Sequence, residues 1–477
     1  MKPGLLKAAC LALSLLSTTD AAALDFTPCA DAGTLPGAAR PGAARPGLQG
    51  SVCAVQTVPA THDGAASGQL ALFVRKFPAA GASRGSVWAI AGGPGESGAS
   101  LYPFIEVLRR SFPGFDILVP DHRGTGLSSR VCPAEEALDS AGGTALAGAE
   151  WGSCFGRIGA HPELVRQFTL TEAARDLAGL VEQDATGKPI YIYGVSYGTQ
   201  LVLRTLQLKR LPVTGIVLDS LVPDQLDARW DLSRRSHVVD DVVRQVLARC
   251  DADTRCAAAM GEPADAIYRR VLARADPRLL AEVPGKDLRQ FLGALLDMPA
   301  LRERIPYLVK DLDGGRTGEL QAVLASLPAI QAALGDYPQT PPSIPLTGII
   351  SNSESDLRPG RGEADVAQDE APLLFKSPLP AILAGSTLPR YPRDAWFGRD
   401  PARLPPVLVL HGTLDPKTHY EGARQHVAKL RERGPVGLVS IQGAPHFILW
   451  TAPNCFERHV GAFVAARKPS DAECMMY

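Results

Sequence analysis

The apolar positions of the chain form two patterns: short continuous runs, and longer stretches with helical spacing. The runs are rich in β-branched and aromatic residues, which indicates buried strands. They occupy residues 87–90, 115–120, 189–193, 214–219, 406–411 and 436–441. Ahead of the third run, Thr169 and Glu172 form a capping box, and an apolar helical face follows over residues 173–181. Strands that alternate with helices predict an α/β fold, with a mostly parallel sheet and helices on both faces.

A G-x-S-x-G motif at residues 194–198 stands between the third run and a helical pattern. In that context the glycines flank a serine on a strained turn, so the hydroxyl of Ser196 projects from the sheet edge. The same motif occurs at residues 81–85, around Ser83, but no helical pattern follows it. The surrounding elements therefore favour Ser196, rather than Ser83, as a nucleophile.

A Gly-Gly-Pro-Gly loop follows the first apolar run and begins with Gly92 and Gly93. Glycines let the backbone approach a substrate closely, and their N–H groups can stabilise an oxyanion. The N–H of Tyr197, next to the serine, can supply the other half of such a site. We therefore predict an oxyanion hole formed by Gly92, Gly93 and Tyr197.

An acid and a base follow the last two apolar runs, and each stands just beyond the end of its strand. Asp415 follows the run at 406–411, and His446 follows the run at 436–441. The chain order Ser, Asp, His is that of a nucleophile–acid–base triad in an α/β-hydrolase. Of the nine histidines, His446 is the first choice as the base, because it directly follows a strand. His459 is the second choice, because it stands in a helical pattern. The triad is predicted as Ser196, Asp415 and His446.

The glycine loop at 92–95, the segment Asp-His-Arg-Gly-Thr-Gly-Leu-Ser at 121–128 and the motif at 194–198 resemble the prolyl and tripeptidyl aminopeptidases. These are serine exopeptidases of the α/β-hydrolase fold, and the resemblance extends from about Cys53 to the C-terminus. It implies that fold and a reaction without metal or organic cofactor. The chain departs from the family at Ala91, where many relatives carry His, and after Asp415, where relatives tend to carry Thr-Pro.

The segment from about 224 to 395 differs from its flanks, because helical patterns replace the strands. Apolar stripes at helical spacing occur at residues 240–247, 288–296 and 320–327. An insertion before the acid-bearing strand would lie over the active site. We interpret 224–395 as a helical cap domain that restricts entry, inserted between hydrolase-core parts at 24–223 and 396–477.

The N-terminus has the features of a cleaved signal peptide. Lys2 and Lys7 precede a short apolar stretch, and an Ala-x-Ala site ends at Ala23. Cys10 lies too early for a lipoprotein anchor, and no later stretch is long enough for a membrane span. We expect a signal peptide at residues 1–23 and a periplasmic or secreted mature protein.

Eight of the nine cysteines remain when Cys10 is set aside with the signal peptide, and they fall in neighbouring pairs. In an oxidising compartment these pairs predict four local disulfides, each contributing roughly 2–4 kcal/mol. The expected pairs are Cys29 with Cys53, Cys132 with Cys154, Cys250 with Cys256, and Cys455 with Cys474. A metal site is not expected, since the chain has no Cys-x-x-Cys, and the Cys455-to-His459 spacing lacks a second ligand pair.

The charges of the chain are balanced and scattered, with a formal net charge of −1. Nucleic acids and anionic membranes bind to clustered Lys and Arg, and no such cluster is present in the sequence. We therefore expect neither as a partner.

An exopeptidase needs a group that binds the free ammonium of its substrate, and a carboxylate in the cap would serve. Glu354 is the first candidate, because an apolar lead-in precedes the acidic residues around it. The segment also resembles the cap segment that carries such an acid in the tripeptidyl relatives. A solvated polar loop is the alternative interpretation, and Glu96 and Glu106 are weaker candidates.

The function expected from these features is that of a secreted serine aminopeptidase. It would release short N-terminal units from peptides with a free N-terminus, through an acyl-enzyme and without a cofactor. A carboxylesterase or lactonase with the same triad is the alternative, because one triad serves several chemistries. A catalytically inactive binding protein of the same fold is a more remote one.

Overall fold

The computed structural model describes residues 23–29, 47–274, 276–335 and 337–476. The strands of these segments are β1 (Thr27–Pro28), β2 (Val52–Pro59), β3 (Gln69–Phe77), β4 (Ser86–Ile90), β5 (Asp116–Pro120), β6 (Ile190–Val195), β7 (Gly215–Asp219), β8 (Val407–Gly412), β9 (Val436–Gln442) and β10 (Ala472–Met475). Within the described segments they form one ten-stranded sheet, in the order β1-β2-β3-β5-β4-β6-β7-β8-β9-β10. This sheet confirms the α/β-hydrolase fold expected from the sequence.

The sheet is antiparallel at one edge and parallel elsewhere. β1, β2, β3 and β5 pair antiparallel in turn, and every pair from β5 through β4 to β10 is parallel. β4, β6, β7 and β8 are buried at every position, because helices cover both faces. That burial explains why these strands appear as continuous apolar runs. β2, which lies between the edge strand β1 and β3, is only partly buried, and no continuous apolar run predicted it.

The helices connect the parallel strands or lie between β7 and β8. They are α1 (Ile105–Ser111), α2 (Glu150–Ala160), α3 (Leu170–Gln183), α4 (Tyr197–Leu208), α5 (Arg235–Ala252), α6 (Thr254–Met260), α7 (Ala264–Arg274), α8 (Pro277–Glu282), α9 (Leu288–Ala294), α10 (Pro299–Arg302), α11 (Ile305–Asp313), α12 (Gly318–Ala333), α13 (Ile344–Glu354), α14 (Glu363–Glu370), α15 (Leu379–Ala384), α16 (Tyr420–Leu430), α17 (Ile448–Thr451) and α18 (Pro453–Ala466). α3, α4 and α16 pack on one face of the sheet, whereas α1 and α18 pack on the other.

The helices between β7 and β8 form a hydrophobic core of their own, built mainly from α5 to α12. α13 differs, because its apolar residues Leu346, Ile349 and Ile350 join the core on the sheet. The insertion is thus fastened to the hydrolase core through α13. Its interpretation as a cap domain with boundaries at 224 and 395 stays a prediction.

Four disulfides join the cysteines in the expected pairs: Cys29–Cys53, Cys132–Cys154, Cys250–Cys256 and Cys455–Cys474. The expected signal peptide lies outside the described residues, apart from Ala23. No helix of the described segments is long and apolar enough to cross a membrane. Nor do the described residues contain a group of three His, Cys, Asp or Glu side chains that could hold a metal ion.

Candidate active site

Ser196 stands on a sharp turn between the end of β6 and the beginning of α4. Its φ of 56° and ψ of −126° are strained for a residue with a side chain. The flanking glycines permit the turn through close backbone packing. A Cβ on Gly194 would lie 2.7 Å from the carbonyl oxygen of Gly198, and one on Gly198 would lie 2.6 Å from that of Ala91. Here the G-x-S-x-G spacing is a steric requirement.

The second copy of the motif has a different setting. Ser83 lies in the loop before β4, and its hydroxyl donates to the carbonyl oxygen of Gly85 at 2.8 Å. Neither cavity described below includes it. Ser83 therefore does not share the setting of Ser196, which stands on the turn between β6 and α4.

Asp415 and His446 form a buried pair beyond the ends of β8 and β9. Nδ1 of His446 lies 2.8 Å from Oδ2 of Asp415. Asp415 also accepts hydrogen bonds from the N–H groups of Lys417 and Thr418 and from the hydroxyl of Thr418, each at 2.8 Å. Burial alone would raise the pKa of Asp415, but the attraction of His446 and these hydrogen bonds outweigh it and lower the pKa below its usual value. The carboxylate is therefore held ionised against the imidazole.

Residues at the end of β7 hold the turn that carries His446 in place. The N–H groups of Ile448 and Leu449 donate to the carboxylate of Asp219 at 2.8 and 2.9 Å. The N–H of Phe447, whose φ is +66°, donates to the hydroxyl of Ser220 at 2.8 Å. Burial raises the pKa of Asp219. Sequence reasoning missed this support, although an acid at the end of a buried strand was a visible signal.

Ser196 and His446 line one cavity of about 210 Å³, together with Gly92 and Gly93. Gly92 lies directly against the serine, because a Cβ on it would be 3.1 Å from Cβ of Ser196. Tyr197 is the first residue of α4, so its N–H has no acceptor within the helix. The glycine loop and the N-terminus of α4 thus both lie next to Ser196. Backbone N–H groups from two such segments can polarise a carbonyl that a serine attacks.

A smaller cavity of about 70 Å³ adjoins the first and is also lined by Ser196. Glu354, the last residue of α13, lines it and is buried. The carboxylate of Glu354 accepts from Gln225 at 2.6 Å, from the hydroxyl of Tyr391 at 3.0 Å and from Arg204 at 3.3 Å. Glu354 therefore lines a cavity with Ser196, and Arg204 already compensates part of its charge.

The other two acidic candidates lie in different places. Glu96 lines the larger cavity with Ser196. Glu106 is exposed on α1, where it pairs with Arg109 at 3.4 Å, and it lines neither cavity. Asp231, which sequence reasoning missed, lines the smaller cavity. Its Oδ2 accepts from the N–H of Leu357 at 2.9 Å, whereas its Oδ1 is buried without a hydrogen-bond partner among the described residues.

The remaining histidines near the site are engaged in other contacts. His411 lies beside Asp415 and contacts the carbonyl oxygen of Thr418 at 2.6 Å. His459, the second choice as base, lies on α18 and lines neither cavity. Burial lowers its pKa. The geometry thus brings His446, rather than His459, to Ser196.

Comparison with known proteins places the chain among hydrolases. Residues 89–256 match a family described as alpha/beta hydrolase fold, and residues 384–474 match a family described as TAP-like protein. The first match contains Ser196, and the second contains Asp415 and His446.

Among curated proteins, the chain is similar to the serine protease Hip1 of Mycobacterium tuberculosis. The two are 23% identical over 463 residues, which cover 89% of this chain and 87% of the relative. Among solved structures it is similar to the proline iminopeptidase of Mycobacterium smegmatis (13% identity, 87% and 98% of the chains covered, TM-score 0.40). It is also similar to an esterase from Thermogutta terrifontis (15% identity, 86% and 99% covered, TM-score 0.37). The chain therefore has the α/β-hydrolase fold, and its C-terminal region is similar to TAP-like proteins.

Proposed function

We propose that this protein is a serine aminopeptidase, which cleaves peptides with a free N-terminus through an acyl-enzyme. The observation that carries the proposal is the buried Asp415–His446 pair, because His446 lines the same cavity as the strained Ser196. The similarity to a protein named as a serine protease supports a peptide as the substrate.

In the proposed mechanism, Asp415 holds the Nδ1–H of His446, which leaves Nε2 free to accept the proton of Ser196. The serine oxygen attacks the scissile carbonyl, and the N–H groups of Tyr197, Gly92 and Gly93 stabilise the oxyanion. His446 then gives its proton to the leaving amine, and the amine departs. Water, activated by the same imidazole, hydrolyses the acyl-enzyme and restores the serine.

The exopeptidase mode rests on the acidic side chains of the smaller cavity. A free ammonium in this cavity would meet the carboxylates of Glu354 and Asp231. Arg204 compensates part of the charge of Glu354, whereas Oδ1 of Asp231 has no hydrogen-bond partner among the described residues. We propose both as the ammonium site, with Glu354 held in place by its three donors. The helical insertion above the serine then favours chain ends over chain interiors.

A panel of chromogenic amides tests this function. Short peptidyl anilides with a free amine are compared with their N-acetylated forms and with simple aryl esters. Acetylation should weaken transition-state binding by about 2 kcal/mol or more in kcat/KM, because it leaves buried carboxylates without their cation. Equal rates on free and acetylated peptides would rule out the aminopeptidase and favour an endopeptidase or esterase.

Variants locate the ammonium site within the same panel. Glu354→Gln and Asp231→Asn should each reduce the preference for the free amine while leaving ester hydrolysis nearly unchanged. Glu106→Gln is the matched control, since that carboxylate is exposed on α1, and it should behave as the wild type. A preference unaffected by both cavity variants would contradict the assignment.

We also propose that the protein acts outside the cytoplasm, in the periplasm or the medium. The four disulfides support this location, because such bonds persist in oxidising compartments. Cell fractionation, with N-terminal sequencing of the mature protein, tests it. An N-terminus upstream of Leu24 in a cytoplasmic fraction would refute it.

A further inference from the structure

Arg235, the first residue of α5, lines both cavities that meet at Ser196. Only 9% of the residue is exposed, and its Nε is buried without a hydrogen-bond partner. Within the described segments, no side chain or carbonyl oxygen forms a hydrogen bond or ion pair with its guanidinium. Deep burial and a free guanidinium in an active-site cavity call for an explanation.

Other buried arginines of the protein have partners. Arg123 binds Asp176 at 2.6 Å, and Arg204 binds Glu354 at 3.3 Å. Arg302 binds the carbonyl oxygen of Gly443 at 2.8 Å. Burying a cation without such a partner is costly. Of these four arginines, Arg235 alone bears that cost, and it does so in the cavities that Ser196 lines.

The acids around Arg235 do not neutralise it by contact. Burial lowers the pKa of Arg235, whereas the more distant charges of Asp415 and Asp297 oppose that shift. Asp415 is engaged with His446, and Asp297 binds Nζ of Lys417 at 3.1 Å. The carboxylate of Asp297 also raises the pKa of Lys417, which keeps this second cation charged. Arg235 is left as the free cation among these groups.

We propose that Arg235 binds a carboxylate of the substrate close to the scissile bond. A planar guanidinium matches a carboxylate with two parallel hydrogen bonds, so it selects for this group by geometry as well as by charge. Because Arg235 lines both cavities, the recognised carboxylate lies near the serine rather than at a remote subsite. The identity of the substrate as a peptide rests on the proposed function.

The carboxylate can come from two sources. One is an Asp or Glu side chain in a residue that flanks the scissile bond, and the other is the C-terminal carboxylate of a one-residue leaving group. With the ammonium at Glu354 and Asp231, a substrate would then carry opposite charges at the two ends of the bound segment. The cationic and acidic groups of the cavities are complementary to that arrangement.

Matched substrate pairs test the proposal. Peptides with Glu or Gln at each flanking position, and with a free or amidated C-terminus, are compared by mass spectrometry of the products. The carboxylate member of one pair should have a kcat/KM higher by roughly tenfold to a hundredfold, the range for hydrogen bonds to charged groups. The substrate pair that shows this preference identifies the source of the carboxylate, which is either a side chain or the C-terminus.

Variants connect the preference to Arg235. Arg235→Met should reduce the ratio of kcat/KM between the carboxylate and the neutral member to about one, and Arg235→Lys should retain part of that ratio. Arg234→Met is the matched control, because this neighbouring arginine faces Asp369 at 3.9 Å and lines neither cavity. A wild-type protein without preference in any pair, or a preference that survives Arg235→Met, overturns the proposal.

Aryl esters separate this inference from the peptidase assignment. The 4-nitrophenyl esters of adipate and hexanoate differ by a carboxylate on the acyl side, and butyrates of 4-nitrophenol and 3-carboxy-4-nitrophenol differ on the leaving side. If peptides are not cleaved but esters are, the proposed peptidase function fails, and the ester ratios of the wild type and Arg235→Met still decide the role of Arg235. No turnover on any substrate would refute both statements.

Discussion

Replacing Gly198 by alanine should disturb catalysis through the backbone. A Cβ at this position would lie 2.6 Å from the carbonyl oxygen of Ala91 and 2.7 Å from that of Ile90. Since real Cβ atoms essentially never come within 3.0 Å, α4 or the strand end must move by at least 0.4 Å, the difference between 3.0 and 2.6. Both obstructing atoms belong to backbone that leads into Gly92 and Gly93, so no side-chain rotation can relieve the clash.

The expected magnitude follows from two opposing effects on stability and one on the rate. Overpacking of this kind costs ~1–3 kcal/mol, whereas the better helix propensity of alanine returns less than ~1 kcal/mol. We expect a net loss of about 1–2 kcal/mol in the free energy of unfolding. One oxyanion-hole donor stabilises the transition state by ~3 kcal/mol. If the N–H of Gly92 moves away from the oxyanion, part of this stabilisation is lost, so kcat should fall roughly tenfold to a hundredfold.

Urea unfolding and ester hydrolysis measure the two effects on the same preparation. Gly179→Ala in α3 is the matched control, because its added Cβ would have no neighbour within 4 Å. That variant should gain ~0.5–1 kcal/mol and keep the wild-type kcat. A Gly198→Ala protein that is destabilised but hydrolyses esters at the wild-type rate would show that the glycine loop does not contribute to the oxyanion hole.

Other variants test the acid, a buried histidine and a disulfide. Asp415→Asn should lower kcat by roughly 10⁴, because the imidazole loses its correct tautomer, and a fall of less than tenfold in ester hydrolysis would contradict the triad. Burial lowers the pKa of His122 from 6.5 to about 4. Between these values the unfolded chain binds a proton that the folded chain does not, so stability falls by up to about 3 kcal/mol as the pH drops from 7 to 4. His122→Gln should lose less over that range in urea unfolding, and an identical loss would refute the reasoning. Removing the Cys132–Cys154 bond with paired alanines should cost ~2–4 kcal/mol in the same assay, and an unchanged midpoint would speak against it.

Local sequence patterns predicted the parts of the protein that local chemistry determines. The buried strands from β4 to β9 are apolar throughout because helices cover them, and Ser196 is recognisable because its glycines are required within five residues. β1, β2, β3 and β10 were not predicted from the sequence. β1, β2 and β3 form one end of the strand order, and β10, paired only with β9, forms the opposite edge. Each of these strands is partly exposed, so it needs no continuous apolar run.

The substrate cavities depend on contacts between distant segments, which no single motif encodes. Glu354 could be singled out from its surroundings, but its compensation by Arg204 links residues 150 positions apart. Arg235 and Asp231 belong to no sequence motif. They line the cavities with Ser196 only because the helical insertion packs against this region. The role of Asp219 likewise depends on a turn more than two hundred residues later.

The direct pairing of β7 with β8 has a consequence for biosynthesis. These neighbouring strands are separated in sequence by the entire helical insertion, with Ile216 opposite Val407. Contacts of such long range form late, after the loop-closure entropy has been overcome. Ser196 emerges from the ribosome with the first flank, and Asp415 and His446 emerge only with the second. A nascent or truncated chain that ends within the insertion therefore contains the proposed nucleophile without the proposed base. We expect hydrolytic activity only when the segment after the insertion has been synthesised and has joined the sheet.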